Sequence, residues 1–455
     1  MIILPGNSVR ATGYDVANSL RFNDDSNDYL TRTFSAGNRK TWSFSTWIKR
    51  CNLINANMNI LGTDYSGSGE AYLLFRSGEQ LHYGQYEGGG AANNYSFQTN
   101  QAFRDTSAWY NILFVWDTTQ STSSDRMKLY VNGSQITSFS SSNYPSLNLD
   151  GVWNSGRLHY IGDATYGTNL DGYLCETVFV DGTALTPTDV GEFDSDSPNI
   201  WKPIDVSGLT FGTNGFYQEY KQSGTSANSS GLGADTSGND HHFTVNNLTA
   251  ADQSIDTCTN NWSNLNAIDN INSVLSEGNL RTTGTSNWSK VNSTFSMPNG
   301  SWYVEIYSKV GSGNGNSGIG IKRVESPTAA TLLGYESTSY GYLSNGNIYN
   351  NNGVITGSLA TWSATDIMSM SFTGSVLKFY KNNSLIHTIS SLTGEYMFSF
   401  GSYPSDSYIV NFGQDGTFSG EVTAQGNSDP NGYGNFYYSP GSFYALNTKN
   451  LAEFG

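Results

Sequence analysis

The chain has few cysteines and no long apolar run. Its three cysteines, Cys51, Cys175 and Cys258, are odd in number and far apart in sequence. No disulfide framework is therefore implied, and synthesis in a reducing compartment is expected. No stretch approaches the roughly 18 apolar residues that a membrane-spanning helix needs. The first residues also lack a basic segment followed by an apolar one, so no secretory signal peptide is predicted.

Basic residues are scarce as well. Lysine and arginine total 22, against 38 aspartates and glutamates, which gives a net charge of −16. An acidic surface repels the phosphate backbone of nucleic acids and the anionic surface of membranes. We therefore expect neither a nucleic-acid partner nor insertion into a membrane.

The residues that are abundant predict strands and turns. Aromatic residues make up 14% of the chain, and glycine occurs 50 times. Aromatic side chains favour strands, whereas glycine and asparagine favour turns. Residues 42–49 alternate, with Trp42, Phe44 and Ile48 on one face and Lys49 on the other. This period of two is typical of a half-buried strand.

The second half of the chain shows the same pattern. In residues 301–307, Trp302 and Val304 point one way and Glu305 points the other. An Asn-Gly step at residues 132–133 predicts a tight hairpin, because both residues accept a positive φ. Short strands at even spacing are typical of sandwiches. We predict an all-β fold of two antiparallel jelly-roll β-sandwiches in tandem.

The two halves resemble two known families of β-sandwich. The first resembles the laminin-G/concanavalin-like jelly roll in residues 19–23 (SLRFN), 42–49 (WSFSTWIK), 128–133 (KLYVNG) and 171–176 (DGYLCE). The second resembles a SPRY domain in residues 300–306 (GSWYVEI), 318–321 (GIGI), 377–383 (LKFYKNN) and 411–413 (NFG). Both resemblances imply binding modules.

The order of these modules over nearly the whole chain is similar to that of structural proteins of marine tailed phages. Two further stretches carry this similarity, namely residues 235–244 (DTSGNDHHFT) and 444–455 (YALNTKNLAEFG). Proteins of that group are tail fibres or virion surface proteins with lectin-like modules. The resemblance therefore implies a location on the virion after synthesis in the host cytoplasm, an expectation by analogy since fold does not fix function.

These patterns divide the chain into five segments. They are an N-terminal arm (1–18), a laminin-G/concanavalin-like jelly roll (19–200), a Gly/Ser/Asn-rich connector (201–259), a SPRY-like sandwich (260–421) and a C-terminal tail (422–455).

The sequence contains no convincing set of catalytic residues, and we expect a protein that is not an enzyme. Glycan-cutting enzymes of the concanavalin-like fold place three acids as Glu-x-Asp-x-x-Glu, of which two carboxylates do the chemistry. The nearest match is Glu192 and Asp194, but Ser197 holds the third position. His241 and His242 lie near Cys258, yet adjacent histidines on a strand point to opposite faces and rarely share a zinc ion.

Two groups of side chains are candidate binding sites. Laminin-G-like domains often carry one calcium ion on the rim of the sandwich, so the resemblance implies calcium, with Asp163 and Asp171 as ligands. Solvated acidic turns are the alternative for these two residues. Aromatic rings stack on the apolar faces of sugars, and four tyrosines crowd loops of the second half: Tyr335, Tyr340, Tyr342 and Tyr349. Ordinary packing in a sandwich is the alternative for each ring.

Two functions follow from the resemblance, and both remain open at this point. In the first, the protein is a tail fibre or adhesin whose sandwiches contact a host-surface glycan or receptor protein. In the second, it is a capsid or tail decoration protein that binds only other virion proteins. Fibres are often trimers, so a homo-oligomer is expected in either case.

Overall fold

The computed structural model describes residues 13–53, 56–65, 69–87, 94–164, 169–311 and 315–455. The arm predicted for residues 1–18 thus lies largely outside the described residues. The chain divides into two compact units, with the division between Thr259 and Asn260. In the described part of the chain, 33 strands and one α-helix are present, so the predicted all-β class is confirmed.

The first unit is built from two large antiparallel sheets and a small one. Its strands are β1 (Ser19–Phe22), β2 (Tyr29–Thr33), β3 (Thr41–Arg50), β4 (Met58–Thr63), β5 (Gly69–Phe75), β6 (Gln80–Glu87), β7 (Tyr95–Ala102), β8 (Trp109–Asp117), β9 (Met127–Val131), β10 (Ser134–Ile136), β11 (Phe139–Asn143), β12 (Leu158–Ile161), β13 (Gly172–Asp181), β14 (Gly191–Phe193), β15 (Trp201–Pro203), β16 (Phe216–Gln218), β17 (Thr244–Asn246) and β18 (Gln253–Ser254). Short 3-10 helices cover Asp24–Ser26, Ser123–Asp125, Pro187–Asp189 and Ala250–Asp252.

The strand order fixes which residues meet. One sheet runs β10-β9-β8-β3-β13-β1-β18, with β16 also paired to β13, and the other runs β11-β7-β6-β5-β4-β12-β2-β17. The main core lies between them, where Phe44 and Leu174 of the first sheet join Leu73 and Tyr83 of the second. The hairpin predicted at residues 132–133 joins β9 and β10, and both of its residues have positive φ.

Strand β3 is buried on both faces, which the sequence pattern did not predict. Trp42, Phe44 and Ile48 point into the main core, as their alternation indicates. Trp47 belongs to a second buried cluster on the opposite face of the sheet. Lys49 also lies on that outer face, and its side chain is fully buried.

The outer face is covered in part by residues 201–259, which the sequence analysis treats as a connector. This segment supplies β15 to β18, and β16, β17 and β18 pair with β13, β2 and β1 respectively. Phe216, Leu232 and Phe243 from the same segment enter the main core. Within the structure, residues 201–259 are thus an integral part of the first unit.

A buried ion pair connects the outer face of the sheet to this segment. Lys49 Nζ lies 2.7 Å from Asp256 Oδ2, and neither side chain is exposed. The other carboxylate oxygen of Asp256 accepts a hydrogen bond from Trp109 Nε1 at 3.2 Å. A buried charge is stable only when such partners replace its lost hydration.

The second unit is a two-sheet sandwich of its own. Its elements are β19 (Leu265–Ile271), β20 (Ser273–Ser276), β21 (Arg281–Gly284), β22 (Ser289–Met297), β23 (Trp302–Val310), β24 (Gly318–Arg323), β25 (Ser339–Leu343), β26 (Ile348–Asn350), β27 (Gly353–Thr356), β28 (Ile367–Phe372), β29 (Leu377–Lys381), β30 (Ser384–Ile389), β31 (Tyr396–Ser402), β32 (Ser407–Asn411), β33 (Tyr444–Ala445) and α1 (Thr448–Phe454). One sheet, called here the front sheet, runs β19-β22-β31-β24-β25-β26-β27, and the back sheet runs β20-β21-β32-β23-β28-β29-β30.

The back sheet is also buried on both faces at its central strand, β23. Trp302, Val304 and Ile306 enter the core, as predicted. Glu305 points outward, and its carboxylate accepts the backbone N–H groups of Tyr437 and Tyr438 at 2.8 and 2.7 Å.

The predicted C-terminal tail, residues 422–455, contains those two tyrosines. It also supplies β33, which pairs in parallel with β23, and helix α1. In the structure this segment is therefore an integral part of the second unit.

A β-bulge in β13 holds a buried carboxyl group in a strained position. The pairing of β13 with β3 shifts between Cys175 and Val178, and Glu176 has a φ of 50°. Its Oε2 accepts hydrogen bonds from the hydroxyls of Tyr217 and Tyr14. Burial raises the pKa of Glu176 to about 7, against the opposing effect of the two hydroxyls.

We predict that the substitution Asp256→Ala lowers the free energy of unfolding by about 3–5 kcal/mol, because it removes the carboxylate from a buried ammonium group. Urea titration of the full chain measures the change. The control is Asp125→Ala, whose partner Lys128 is 3.2 Å away on the surface, and which should cost less than about 1 kcal/mol. Equal effects of the two substitutions would contradict the assigned role of the buried pair.

We predict that Glu176 contributes to the pH dependence of stability, together with Glu70 and Glu305, whose pKa values burial also raises to about 7. Because the pKa of Glu176 in the folded chain is raised, the stabilisation from its protonation is complete below about pH 4.5 and is lost as the pH rises through about 7. The substitution Glu176→Gln should remove this loss, which is on the order of 3 kcal/mol. Urea titrations of both chains between pH 4.5 and 8 measure the difference. The exposed Glu192→Gln serves as the control, and a pH-independent difference for Glu176→Gln would refute the prediction.

Candidate functional site

Part of the outer face of the front sheet is covered by one loop of the same sheet. Loop 324–338 connects β24 to β25. Lys290, Asn292 and Lys322 alternate with the core residues Val291 and Ile321, so their side chains lie on this outer face. All three are buried beneath the loop.

A salt bridge between a buried lysine and a partly buried glutamate attaches the loop to the sheet. Lys290 Nζ lies 2.7 Å from Glu336 Oε1 and 3.2 Å from Thr331 Oγ1. Ser339 Oγ donates to the other oxygen of Glu336 at 2.8 Å. Burial alone would raise the pKa of Glu336, but the hydrogen bonds from Lys290 and Thr331 lower it instead.

Two further contacts hold the first part of the loop. Asn292 Nδ2 donates both to Asp269 Oδ2 at 2.7 Å and to Thr328 Oγ1 at 2.8 Å, and so links β19, β22 and the loop. Lys322 Nζ donates to the backbone carbonyl of Ser326. Burial lowers the pKa of Lys322, which Asp269 partly offsets.

Small residues in the sheet allow the loop to approach closely. A Cβ atom on Gly341 would lie 2.4 Å from the carbonyl oxygen of Leu333. A Cβ atom on Gly401 would lie 3.2 Å from the Cβ atom of Leu333. Leu333 itself is buried. Larger residues at these two positions would push the loop away from the sheet.

A groove of about 420 Å³ lies between the start of the loop and the edge strand β19. Its lining residues are Asn266, Ile268, Asp269, Ser293, Thr294, Ser296, Val324, Glu325, Ser326, Pro327, Thr328 and Met397. Hydroxyl, amide and carboxylate groups thus share the groove with a few apolar side chains. Such a mixture suits a neutral, hydroxyl-rich ligand that offers both polar and apolar surfaces.

A row of three aromatic rings borders the end of the same loop. The ring centroid of Tyr335 is 6.3 Å from that of Trp288 and 6.0 Å from that of Tyr349. Tyr335 is 36% exposed, and the other two rings are half-buried. We call these three residues the aromatic row. Trp288 was missed by the sequence analysis, because it precedes β22 and is distant in sequence from the tyrosines.

Two of the four tyrosines predicted to bind a ligand lie outside the aromatic row. In β25, Tyr340 and Tyr342 alternate with Gly341 and point to the inner side of the front sheet. Tyr342 is fully buried in the core, and its hydroxyl donates to the carbonyl of Ala360. Tyr342 thus presents no surface to a ligand in this structure, and Tyr340 is half-buried against the same core. Ligand contact by these two residues stays a prediction.

The two candidate calcium ligands have different surroundings. Asp163 accepts the backbone N–H of Ala164 at 2.7 Å, whereas Asp171 is buried, and its backbone carbonyl accepts the N–H of Cys51. Among the described residues, no group of three or more histidines, cysteines and acids is placed to hold a metal ion. Calcium binding at Asp163 and Asp171 stays a prediction.

The other polar residues singled out from the sequence form local contacts. His241 lies 2.9 Å from Arg32, and His242 accepts the backbone N–H of Asp235 at 3.0 Å. Glu192 and Asp194 both lie within 3.4 Å of Lys202.

Comparison with known proteins supports a lectin-type fold for the first unit. Residues 24–191 match the laminin-G-3 family, described as the concanavalin A-like lectin/glucanases superfamily. This part of the chain is similar to a lectin-type jelly roll. The resemblance predicted for the first half is thereby confirmed.

Solved structures include SPRY domains and a pentraxin among those similar to the chain. The SPRY domain of human HERC1 aligns over 32% of this chain and 96% of its own, with 17% identity and a TM-score of 0.29. The heptameric SAP-like pentraxin from Limulus polyphemus aligns over 38% of this chain and 81% of its own, also with 17% identity and a TM-score of 0.29. No curated protein matches the chain.

We predict that Glu336→Ala releases loop 324–338 from the front sheet. The substitution leaves the buried Lys290 without its carboxylate, and should cost about 2–3 kcal/mol. Amide hydrogen exchange should accelerate across the loop, while the back sheet keeps its protection. Glu325→Ala is the control, because Glu325 is largely exposed and pairs with Arg323. Unchanged exchange in the loop of the Glu336→Ala chain would show that the salt bridge does not hold it.

Proposed function

We propose that this is a non-enzymatic binding protein of a phage virion surface, whose second unit contacts a host-surface glycan or protein. The observation that carries the proposal is that loop 324–338 borders both the groove and the aromatic row. A rigid sheet that positions a variable loop is a common arrangement for recognition sites.

The chemistry of this surface favours a neutral glycan over an anion. Aromatic rings offer flat apolar faces on which sugar rings stack. Serine, threonine and asparagine side chains line the groove, and such groups can donate hydrogen bonds to sugar hydroxyls and accept them. The nearby lysines, Lys290 and Lys322, are buried in contacts with the loop and so do not present a positive surface for an anion.

The groove carboxylates also favour binding over hydrolysis. Glycosidases need one carboxylic acid and one free carboxylate on either side of the scissile bond. Here Asp269 accepts a hydrogen bond from Asn292, and Glu325 lies 2.7 Å from Arg323.

The virion setting rests on the sequence resemblance to phage structural proteins. In the described part of the chain, no helix is long and apolar enough to cross a membrane. The three cysteines are buried and are not joined by a disulfide in the structure, which fits synthesis in a reducing host cytoplasm. A homo-oligomer that displays several copies of the groove would strengthen weak glycan binding through avidity.

A decoration protein that binds only other virion proteins is the second candidate. The observation that favours it is the edge strand β27, which carries Val354 and Ile355 with 51% and 48% of their surfaces exposed. An edge strand with exposed apolar residues is suited to pairing with another chain.

We predict that Trp288→Ala, Tyr335→Ala and Tyr349→Ala each weaken glycan binding about tenfold, which corresponds to about 1.4 kcal/mol per ring. The ligand is first identified on a glycan array, and titration calorimetry then compares the variants. Tyr65→Ala in the first unit is the control, because Tyr65 is similarly exposed, at 40%. A normal array signal from the triple variant would refute the proposed site.

Immunogold labelling of virions with an antibody to this chain separates the two candidates. Label at the tips of tails or fibres is the result expected for host recognition. Label spread over the head, combined with no array signal, would refute that role and favour the decoration protein.

A further inference from the structure

Two of the three cysteines of the first unit are in direct sulfur contact. Cys175 Sγ lies 3.6 Å from Cys258 Sγ within a buried cluster on the outer face of the sheet. Cys175 belongs to β13, and Cys258 follows β18 in the segment that covers this face. Because the sulfur atoms of a disulfide are about 2 Å apart, a small rearrangement of the side chains would bring these two to bonding distance.

The backbone on both sides of Cys258 is fixed by contacts of its own. Two residues before it, Asp256 forms the buried ion pair with Lys49 at 2.7 Å. One residue after it, Thr259 Oγ1 accepts the backbone N–H of Val16 at 3.0 Å. The approach of the two sulfur atoms is therefore set by the placement of the whole segment and not by one flexible side chain.

We propose that Cys175 and Cys258 are a site of disulfide formation, which a small-molecule disulfide such as oxidised glutathione completes. The thiolate of one cysteine attacks a glutathione sulfur, breaks its S–S bond and releases one reduced glutathione. The second cysteine then attacks the mixed disulfide and releases the second glutathione. The two protein thiols lose two electrons and two protons, and the glutathione disulfide gains both.

The order of attack follows from accessibility. Cys258 is 4% exposed, whereas Cys175 is fully buried. Reaction at Cys258 requires local opening of its segment alone, while Cys175 lies in a central strand. The finished bond connects residues 83 positions apart in sequence. It closes a long loop and restricts the unfolded chain accordingly.

The consequence is a covalent attachment of the covering segment to the sheet. In a reducing compartment the segment is held without a covalent bond, by the ion pair, by hydrogen bonds and by its buried apolar side chains. After release into an oxidising medium, the same contacts place the two thiols for a permanent bond. The third cysteine, Cys51, belongs to the same buried cluster, and so provides an internal comparison in every experiment.

The test uses the full chain, purified under reducing conditions and then incubated with oxidised glutathione. We expect the intact mass to fall by about 2 Da and one thiol per chain to remain after denaturation. Peptide mapping without reductant should yield one linked pair of peptides that contains Cys175 and Cys258. The midpoint of thermal unfolding should rise by about 10 °C relative to the reduced chain.

Single-cysteine variants supply the controls. Cys51→Ser should form the bond as the natural chain does, whereas Cys175→Ser and Cys258→Ser should lose the thermal shift. If either of these two variants fails to fold, the peptide map of the natural chain still decides the question. A linked pair that contains Cys51, cross-links only between chains, or three free thiols after prolonged oxidation would overturn the proposal.

Discussion

A sheet that is buried on both faces needs a partner for every polar side chain on its outer face, and this requirement organises both units. In the first unit, the outward Lys49 meets Asp256, and in the second unit the outward Glu305 meets two backbone N–H groups. Without such partners, each buried charge would cost several kcal/mol. The segments that look like a connector and a tail in the sequence are therefore needed to complete the two sandwiches.

The front sheet of the second unit meets the same requirement with its own loop. Lys290 and Asn292 lie under loop 324–338 and receive their partners from it and from β19. Because the loop covers only part of the sheet, its margins remain open to solvent. One margin is the groove and the other carries the aromatic row. The contacts that stabilise the fold thus also position the surface that we propose for binding.

Much of the fold could be predicted from local features of the sequence, namely the alternation of apolar residues in strands and the residues that favour turns. Trp42, Phe44 and Ile48 enter the core as their spacing indicates, and the hairpin at residues 132–133 forms where Asn-Gly predicts it. The partner of Lys49 could not be predicted, because it lies 207 residues away. Tyr340 and Tyr342 are two residues apart in β25, so their side chains point to the same face of the strand, which is the core side. The aromatic row could not be predicted from the sequence, because three separate parts of the chain supply its rings.

We propose above all that the outer face of the front sheet recognises a ligand. Amide hydrogen exchange of the full chain, with and without host-cell envelope fragments, tests it most directly. We expect protection in loop 324–338 and around Trp288, with unchanged exchange in the first unit. Protection confined to the edge strand β27, or to the first unit, would contradict the claim and place the binding surface elsewhere.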